Sequence, residues 1–280
     1  MKIKSVSNYM AMLRNLNNIL KVDVSETHIE MICAALTDSL AVEKSKQYPY
    51  RFHSAYKTLN ENKGSYNTSK YERIKGALNI ALELSVANIP KIPGKSLGLI
   101  DVSGSMSWAT ISAKSKVTPA EIAGIFGAIS SSICDDVDIV VFASQFGAVK
   151  FDTGEGVLKR MDKIARSNVG GGTEAYLPME FARQKKVKYD RVILFSDMQC
   201  YAHDRSGMNS FAKSFFAYQR EVSPAYLYTV DLTGYGTAQV PQYNDKVLML
   251  SGFSEKLFEF IPKFESERAT LVQDIEGYKV

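Results

Sequence analysis

Between residues 9 and 88 apolar positions recur at three- and four-residue spacing, the mark of amphipathic helices. Met10, Leu13, Leu16, Asn17 and Leu20 share one face over 9–20, and Ile29, Ile32, Cys33, Leu36 and Leu40 repeat the pattern over 27–43. Ser25 is placed to cap the second helix, with His28 at its third position. Pro49 interrupts the chain, and two further helices are predicted over 50–60 and 70–88, separated by the loop 64–70. Four helices in pairs imply the helix-on-helix stacking of a repeat fragment.

At Pro90 the pattern changes. Ile89-Pro90-Lys91-Ile92-Pro93-Gly94-Lys95 cannot continue a helix and reads as a linker. Short apolar runs follow at 97–101, 138–144, 191–196, 225–231 and 246–250, with a short extra edge strand over 147–152. Helical patterns fill the gaps at 118–133, 156–166, 176–186, 207–221 and 254–264, the first capped by Thr118 and opened by Pro119. This alternation predicts an α/β fold, a doubly wound, mostly parallel, Rossmann-like sheet preceded by a small all-α segment. The expected boundaries are a helical segment over 1–92, a sheet domain over 93–265 and a tail over 266–280.

Composition adds little to the fold but narrows the function. With 45% hydrophobic and 23% charged residues, the chain has the make-up of a folded soluble protein. No apolar run is long enough to span a bilayer, and residues 1–20 lack a signal-peptide core, so neither a membrane nor a secretory role is expected. Cys33, Cys134 and Cys200 are odd in number and far apart, which excludes a disulfide framework and favours the reducing cytoplasm. Charge is uneven. Residues 1–95 hold 14 Lys and Arg against 8 Asp and Glu, and the remainder holds 20 against 22. Lys44, Lys46, Arg51 and Lys57 are the densest positive stretch, interleaved with Tyr48, Tyr50, Phe52 and Tyr56. Cations for phosphates beside aromatics for bases suit single-stranded RNA. The same mixture suits a helix that buries its aromatics and exposes its lysines.

In a doubly wound sheet, ligands sit beyond the carboxyl ends of the strands. Three loops predicted at that rim carry hard oxygen donors: Asp101-Val102-Ser103-Gly104-Ser105, Gly170-Gly171-Gly172-Thr173 and Ser196-Asp197. Asp101, Ser103, Ser105, Thr173 and Asp197 together offer two carboxylates and three hydroxyls, a donor set for Mg²⁺, or equally Mn²⁺. The alternation Asp-x-Ser-x-Ser lets one tight turn aim three side chains at one point, and the glycines let the second loop approach closely.

These residues closely resemble the metal-ion-dependent adhesion site of von Willebrand factor type A (vWA) domains. The resemblance implies that Ser103, Ser105 and Thr173 touch the ion directly and that Asp101 and Asp197 act largely through water. It leaves one position open for a partner's Asp or Glu carboxylate, or for a phosphate oxygen. The chain also resembles the carboxyl-terminal part of the Ro 60 kDa autoantigen family, whose TROVE module precedes a type A domain. The matching text is Met12-Leu13-Arg14-Asn15-Leu16, Tyr48-Pro49-Tyr50-Arg51-Phe52 with Ala55-Tyr56, Ala81 through Pro90, Pro93-Gly94-Lys95, and Ser112 through Glu121. That resemblance implies binding of small noncoding RNA. The family's helical ring is longer than residues 1–90, so one copy cannot close it. A short member, a fragment and a subunit of a homo-oligomer all stay open.

The remaining candidates are weaker. Cys200 and His203 have a metal-like spacing, but two ligands alone read as a surface loop. Ser103 or Ser105 as a nucleophile lacks an evident general base. Gly170–Gly172 lacks the Lys-Ser/Thr ending of a phosphate loop. Trp108 is either a contact residue beside the open metal position or a hydrophobic cover on the metal loop. The aromatics over 211–228 read as core. The expected protein is thus a non-enzymatic, Ro-like RNA-binding component. Its type A domain holds Mg²⁺ and an acidic partner group, and Arg14, Lys44, Lys46, Arg51, Lys57 and Arg73 offer RNA contacts. A metal-dependent protein-interaction module without RNA is the alternative, and a metal-dependent phosphodiesterase a distant third.

Overall fold

The computed structural model describes residues 6–111, 117–199, 210–234, 240, 245–252 and 254–277, with 6–8 and 267–277 in backbone only. Two compact units emerge, residues 1–90 with 156–158 and residues 91–155 with 159–280.

The helical unit contains α1 (Val6–Lys21), α2 (Glu26–Thr37), α3 (Ser39–Ser45), α4 (Pro49–Glu61), a 3-10 turn (Lys63–Ser65) and α5 (Thr68–Val86). The single helix expected over 27–43 is two, because Asp38 stops α2 and caps α3. Its carboxylate accepts from the N–H groups of Leu40 (2.9 Å) and Ala41 (3.2 Å). Ser25 occupies the N-cap of α2, yet its hydroxyl bonds the His28 Nδ1 at 2.7 Å and makes no cap bond to the backbone. Pro49 does not merely break the chain. It opens α4, where its missing N–H leaves no helical bond unmade. Asn67 caps α5 through Ser69 and Lys70 N–H groups. Leu13, Leu16, Leu20, Ile29, Leu36, Phe52, Ile74 and Leu78 form the buried seam, and the Tyr9 hydroxyl donates to the Leu36 carbonyl.

The sheet unit contains β1 (Ile92–Asp101), a one-turn α6 (Gly104–Trp108), α7 (Pro119–Ile133), β2 (Cys134–Phe142), β3 (Phe146–Val149), α8 (Val157–Ala165) and α9 (Tyr176–Gln184). It continues through β4 (Arg191–Ser196), α10 (Ser210–Glu221), β5 (Tyr226–Asp231), β6 (Val247–Ser251) and α11 (Lys256–Gly277). The strands lie in the order β3-β2-β1-β4-β5-β6, all parallel except the edge strand β3. Residues 92–95, expected in the linker, already belong to β1. Residues 265–277 continue α11 past the predicted stop and past Pro262, through part of the expected tail. Their apolar period fades, but Glu, Arg, Ala, Leu and Gln favour a helix, and Glu265 is held by Arg191.

Both faces of the sheet are covered. Leu97, Leu99, Val192, Leu194 and Leu227 pack with Met179, Phe211, Phe215 and Tyr218 of α9 and α10. On the other face Phe126 of α7 meets Phe195 and Phe258, with ring centroids 5.3 and 5.7 Å apart. Thr118 and Glu121 form a reciprocal capping box at the start of α7. The chain leaves β1 for β2 on one side, and β4 lies on the other. The carboxyl ends of β1 and β4 therefore flank the switch point of the sheet, where doubly wound folds hold ligands.

Candidate metal centre and nucleic-acid surface

Three loops meet at that switch point. Asp101 ends β1 and is fully buried. Its Oδ1 accepts from the Ser103 N–H at 2.9 Å, which closes the turn, and its Oδ2 accepts from the Ser196 hydroxyl at 2.6 Å. The hydroxyls of Ser103 and Ser105 stand 3.3 Å apart, Ser103 buried and Ser105 exposed. Gly104 N–H donates to the Gly171 carbonyl at 3.3 Å, which ties the first loop to the glycine loop. Thr173 is buried, and the next residue anchors the loop through Glu174 N–H to the Ala143 carbonyl at 2.8 Å. The five residues read from the sequence therefore stand on three loops at one rim. Met198, just past Asp197, takes a left-handed φ of 60°, a strained value for a side chain of its size.

The electrostatics of the cluster are unusual. Burial pushes the Asp101 carboxyl up to about 6, against the pull of hydrogen bonds from Ser103 and Ser196, and the nearby Asp197 pushes the same way. Asp197 is buried as well. Its Oδ1 accepts from the Gln199 N–H at 3.0 Å, while its Oδ2 is buried with no hydrogen-bond partner among the described residues. A buried carboxylate oxygen left without a donor is costly, and it fits a site built for a cation. No group of three or more His, Cys, Asp or Glu side chains in metal-binding range occurs among the described residues, so the donor set here is mixed carboxylate and hydroxyl.

Two contributors stand outside the five donors: Ser144, which the sequence pattern did not single out, and Ser196, which it offered only as part of the Ser196-Asp197 loop. Ser144 follows β2, and the glycine loop wraps it: its hydroxyl accepts from Gly172 N–H at 2.7 Å. A Cβ on Gly170 or Gly172 would come within 2.8 or 2.9 Å of Ser144 atoms, which explains two of the three glycines better than approach to an ion does. Ser196 is the second. Its hydroxyl holds Asp101 and accepts from Met198 N–H at 3.1 Å. Both residues sit at strand ends, and strand-end position was the signal available. Asp231, at the end of β5, is a third carboxylate on the rim, but its Oδ1 closes its own turn with Thr233 and Gly234.

Trp108 is 89% exposed, so it is not a hydrophobic cover on the metal loop. Phe211, Phe215, Tyr218 and Tyr228 are core, as expected. Cys200 and His203 lie outside the described residues.

In the helical unit two of the six candidate RNA contacts share a cleft. Arg14 of α1 and Arg51 of α4 line one cleft of about 200 Å³, together with Met10, Leu13, Leu16, Asn17, Ser54, Ala55, Thr58 and Leu59. Lys44 and Lys46 are exposed at the end of α3, Lys57 is half-buried, and Arg73 is engaged by Glu26 (2.8 Å) and Glu30 (3.7 Å) of α2. Phe52 is fully buried against Tyr9 and cannot stack on a base.

Residues 96–265 match the family model of the Ro60 vWA domain, more than half of the chain. The chain belongs to the Ro60 family. Residues 4–79 match the TROVE domain. The RNA-binding protein RO60 of Deinococcus radiodurans is 25% identical over 215 residues, 72% of this chain and 40% of that protein. The protein of the same name from Caenorhabditis elegans is 25% identical over 252 residues, 83% of this chain and 39% of its own length. The crystal structure of the Deinococcus radiodurans RO (RSR) protein superposes with a TM-score of 0.72 at 21% identity. The match covers 92% of this chain and 55% of that one and supports the same fold. The chain thus spans about two fifths of the curated Ro60 relatives it matches.

Proposed function

We propose that this protein is a non-enzymatic, Ro-type RNA-binding component whose sheet unit holds a divalent cation and presents it to an acidic group on a protein partner. The observation that carries the metal half is the Asp197 Oδ2, buried without a donor among the described residues, beside the equally buried Asp101. Asp101, Ser103, Ser105, Thr173 and Asp197 would hold Mg²⁺, or Mn²⁺, which accepts the same oxygen donors. A bound cation supplies the positive charge that two buried carboxylates need and an electrophilic position that a partner's Asp or Glu can share. Ser196 and Ser144 orient the loops. The exposed Trp108, three residues beyond Ser105, offers the partner an aromatic contact.

The RNA half is supported by the matched family, whose curated relatives are named RNA-binding proteins, and by the positive balance of residues 1–95. The non-enzymatic reading is supported by the site's chemistry. Hydrolytic Mg²⁺ sites gather more carboxylates and a base that activates water. Among the described residues the three loops bring two buried carboxylates, Asp101 and Asp197, and no histidine. We place the protein in the cytoplasm, a reading that the free thiols of Cys33 and Cys134 favour.

Two measurements test this reading. Tb³⁺ added to the full chain should give luminescence sensitised by Trp108, the sole tryptophan, and Mg²⁺ should quench it competitively. Silence in that titration, together with no Mn²⁺ binding by electron paramagnetic resonance, would remove the metal half. Filter binding of a structured small RNA at low and moderate salt tests the other half, and no affinity at low salt would leave the protein-interaction module alone.

A further inference from the structure

The cleft between α1 and α4 is built from two helix faces. Met10, Leu13, Arg14 and Asn17 follow one another at helical spacing on α1, and Arg51, Ser54, Ala55, Thr58 and Leu59 do so on α4. Its floor is apolar: Leu13, Leu16 and Leu59 are almost fully buried. Its two guanidiniums belong to residues 37 positions apart in the sequence, so the fold and not the chain brings them together. Neither makes an ion pair or hydrogen bond among the described residues. Across α1 and α4 the sole acidic side chain is Glu61, at the last position of α4. The cleft therefore carries uncompensated positive charge over a greasy floor.

Its polar groups are also sorted by role. The Tyr66 hydroxyl donates to the Asn17 Oδ1 at 2.6 Å, which leaves the amide nitrogen to donate. The Thr58 hydroxyl donates to the Ser54 carbonyl at 2.9 Å, which leaves its lone pairs to accept. Two forked cations and an amide donor suit an acceptor-only anion such as phosphate, and an accepting hydroxyl beside them suits a ribose 2′-OH. A volume of about 200 Å³ lies below that of pockets which enclose a drug-sized ligand, so it takes a single nucleotide unit at most, free or within a chain.

We propose that this cleft is a one-nucleotide site. Arg14 and Arg51 clamp a single phosphate, Thr58 accepts from the ribose, and the nucleoside lies on Leu13, Leu16 and Leu59. The nucleotide comes from a single-stranded RNA or from a free mononucleotide. The first source rests on the RNA reading above, and the second does not.

The test uses the full chain and two probes, a short fluorescein-labelled single-stranded RNA read by anisotropy and unlabelled AMP read by saturation-transfer NMR. Arg14→Ala and Arg51→Ala each weaken RNA binding about tenfold and lower the slope of log affinity against log salt by about one, measured between about 50 and 200 mM. Arg14→Lys keeps the slope and recovers only part of the affinity, because an ammonium lacks the fork. A Lys44→Ala/Lys46→Ala variant, away from the cleft, keeps the cleft-bound AMP signal. Both arginines are exposed, so melting midpoints should not move. RNA bound equally by wild type, Arg14→Ala and Arg51→Ala overturns the cleft and leaves the RNA reading standing. AMP bound in an Arg14-dependent way without RNA binding supports the cleft with the free nucleotide as its source, and removes the RNA reading. Binding of neither probe overturns both.

Discussion

In the sheet unit Asp101 and Asp197 are almost wholly withdrawn from water, held by turns and by Ser196, and one carboxylate oxygen has no donor among the described residues. In the helical unit the Arg14 and Arg51 side chains are also without partners among the described residues, but both are exposed and line a cleft. The two arrangements differ in what they imply. A buried unpaired charge is destabilising by several kcal/mol, so its presence is local evidence that something else balances it. An exposed cation costs the fold almost nothing, so its lack of a partner becomes informative only when a second cation and a floor of the right chemistry stand beside it.

The largest effect expected is on a charge that is buried and fully partnered. Arg191 on β4 donates to Glu265 of α11 at 2.7 and 2.6 Å and to the Ser96 hydroxyl at 2.9 Å, with the Tyr228 hydroxyl donating to the same carboxylate at 3.0 Å. Arg191→Ala should destabilise the protein by about 3–5 kcal/mol in denaturant unfolding, because it strands Glu265 against the sheet. Replacing both residues by apolar ones of similar volume should recover most of that loss. A midpoint unmoved by the single change would mean that partnered and unpartnered buried charge weigh the same here.

Asp197→Asn sharpens the contrast, because its two effects carry opposite signs. Metal affinity, read as Mn²⁺ binding, should fall about 100-fold or more. Metal-free stability should hold or rise, since a neutral amide replaces a carboxylate with a bare oxygen. An Asn variant that both binds metal and melts early would make Asp197 an ordinary structural residue.

How far these features could be read from the sequence follows the same divide. Asp101, Ser103 and Ser105 lie within five residues, and strand ends are fixed by the apolar runs before them, so the rim could be assembled on paper. Ser144 could not, because a serine after a strand carries no motif and its role depends on a loop that arrives from residues 170–172. The Arg14–Arg51 cleft was invisible for the same reason: its halves share no local pattern, and of the denser run Lys44, Lys46, Arg51 and Lys57 it takes Arg51 alone. The break at Asp38 was a local signal masked by an apolar period that continued through it. Asp38→Ala measures that masking. It should cost about 1 kcal/mol by removing the cap of α3, and circular dichroism should report little lost helix, since Leu36 and Val42 still pack on either side.

The smallest effect belongs to a buried carboxylate of the sheet unit whose cationic partners reach in from solvent. Glu155 is ion-paired with Lys163 at 2.8 Å and Lys159 at 3.1 Å and accepts from the Asp152 N–H at 3.0 Å. The Lys163 ammonium, ahead of the other two, holds its carboxyl down at about 2. A carboxylate with a lowered pKa stabilises the fold above its ordinary value of 4.5, and that contribution is lost as pH falls from there toward about 2. Wild type should therefore lose stability on acidification through that window faster than Glu155→Gln, and the two curves should converge at its acid end. Lys159 is largely exposed, so added salt should narrow the gap between the curves. Salt should act on RNA affinity at Arg14 and Arg51 in the same direction but far more steeply, because there it displaces a polyanion and not a side chain.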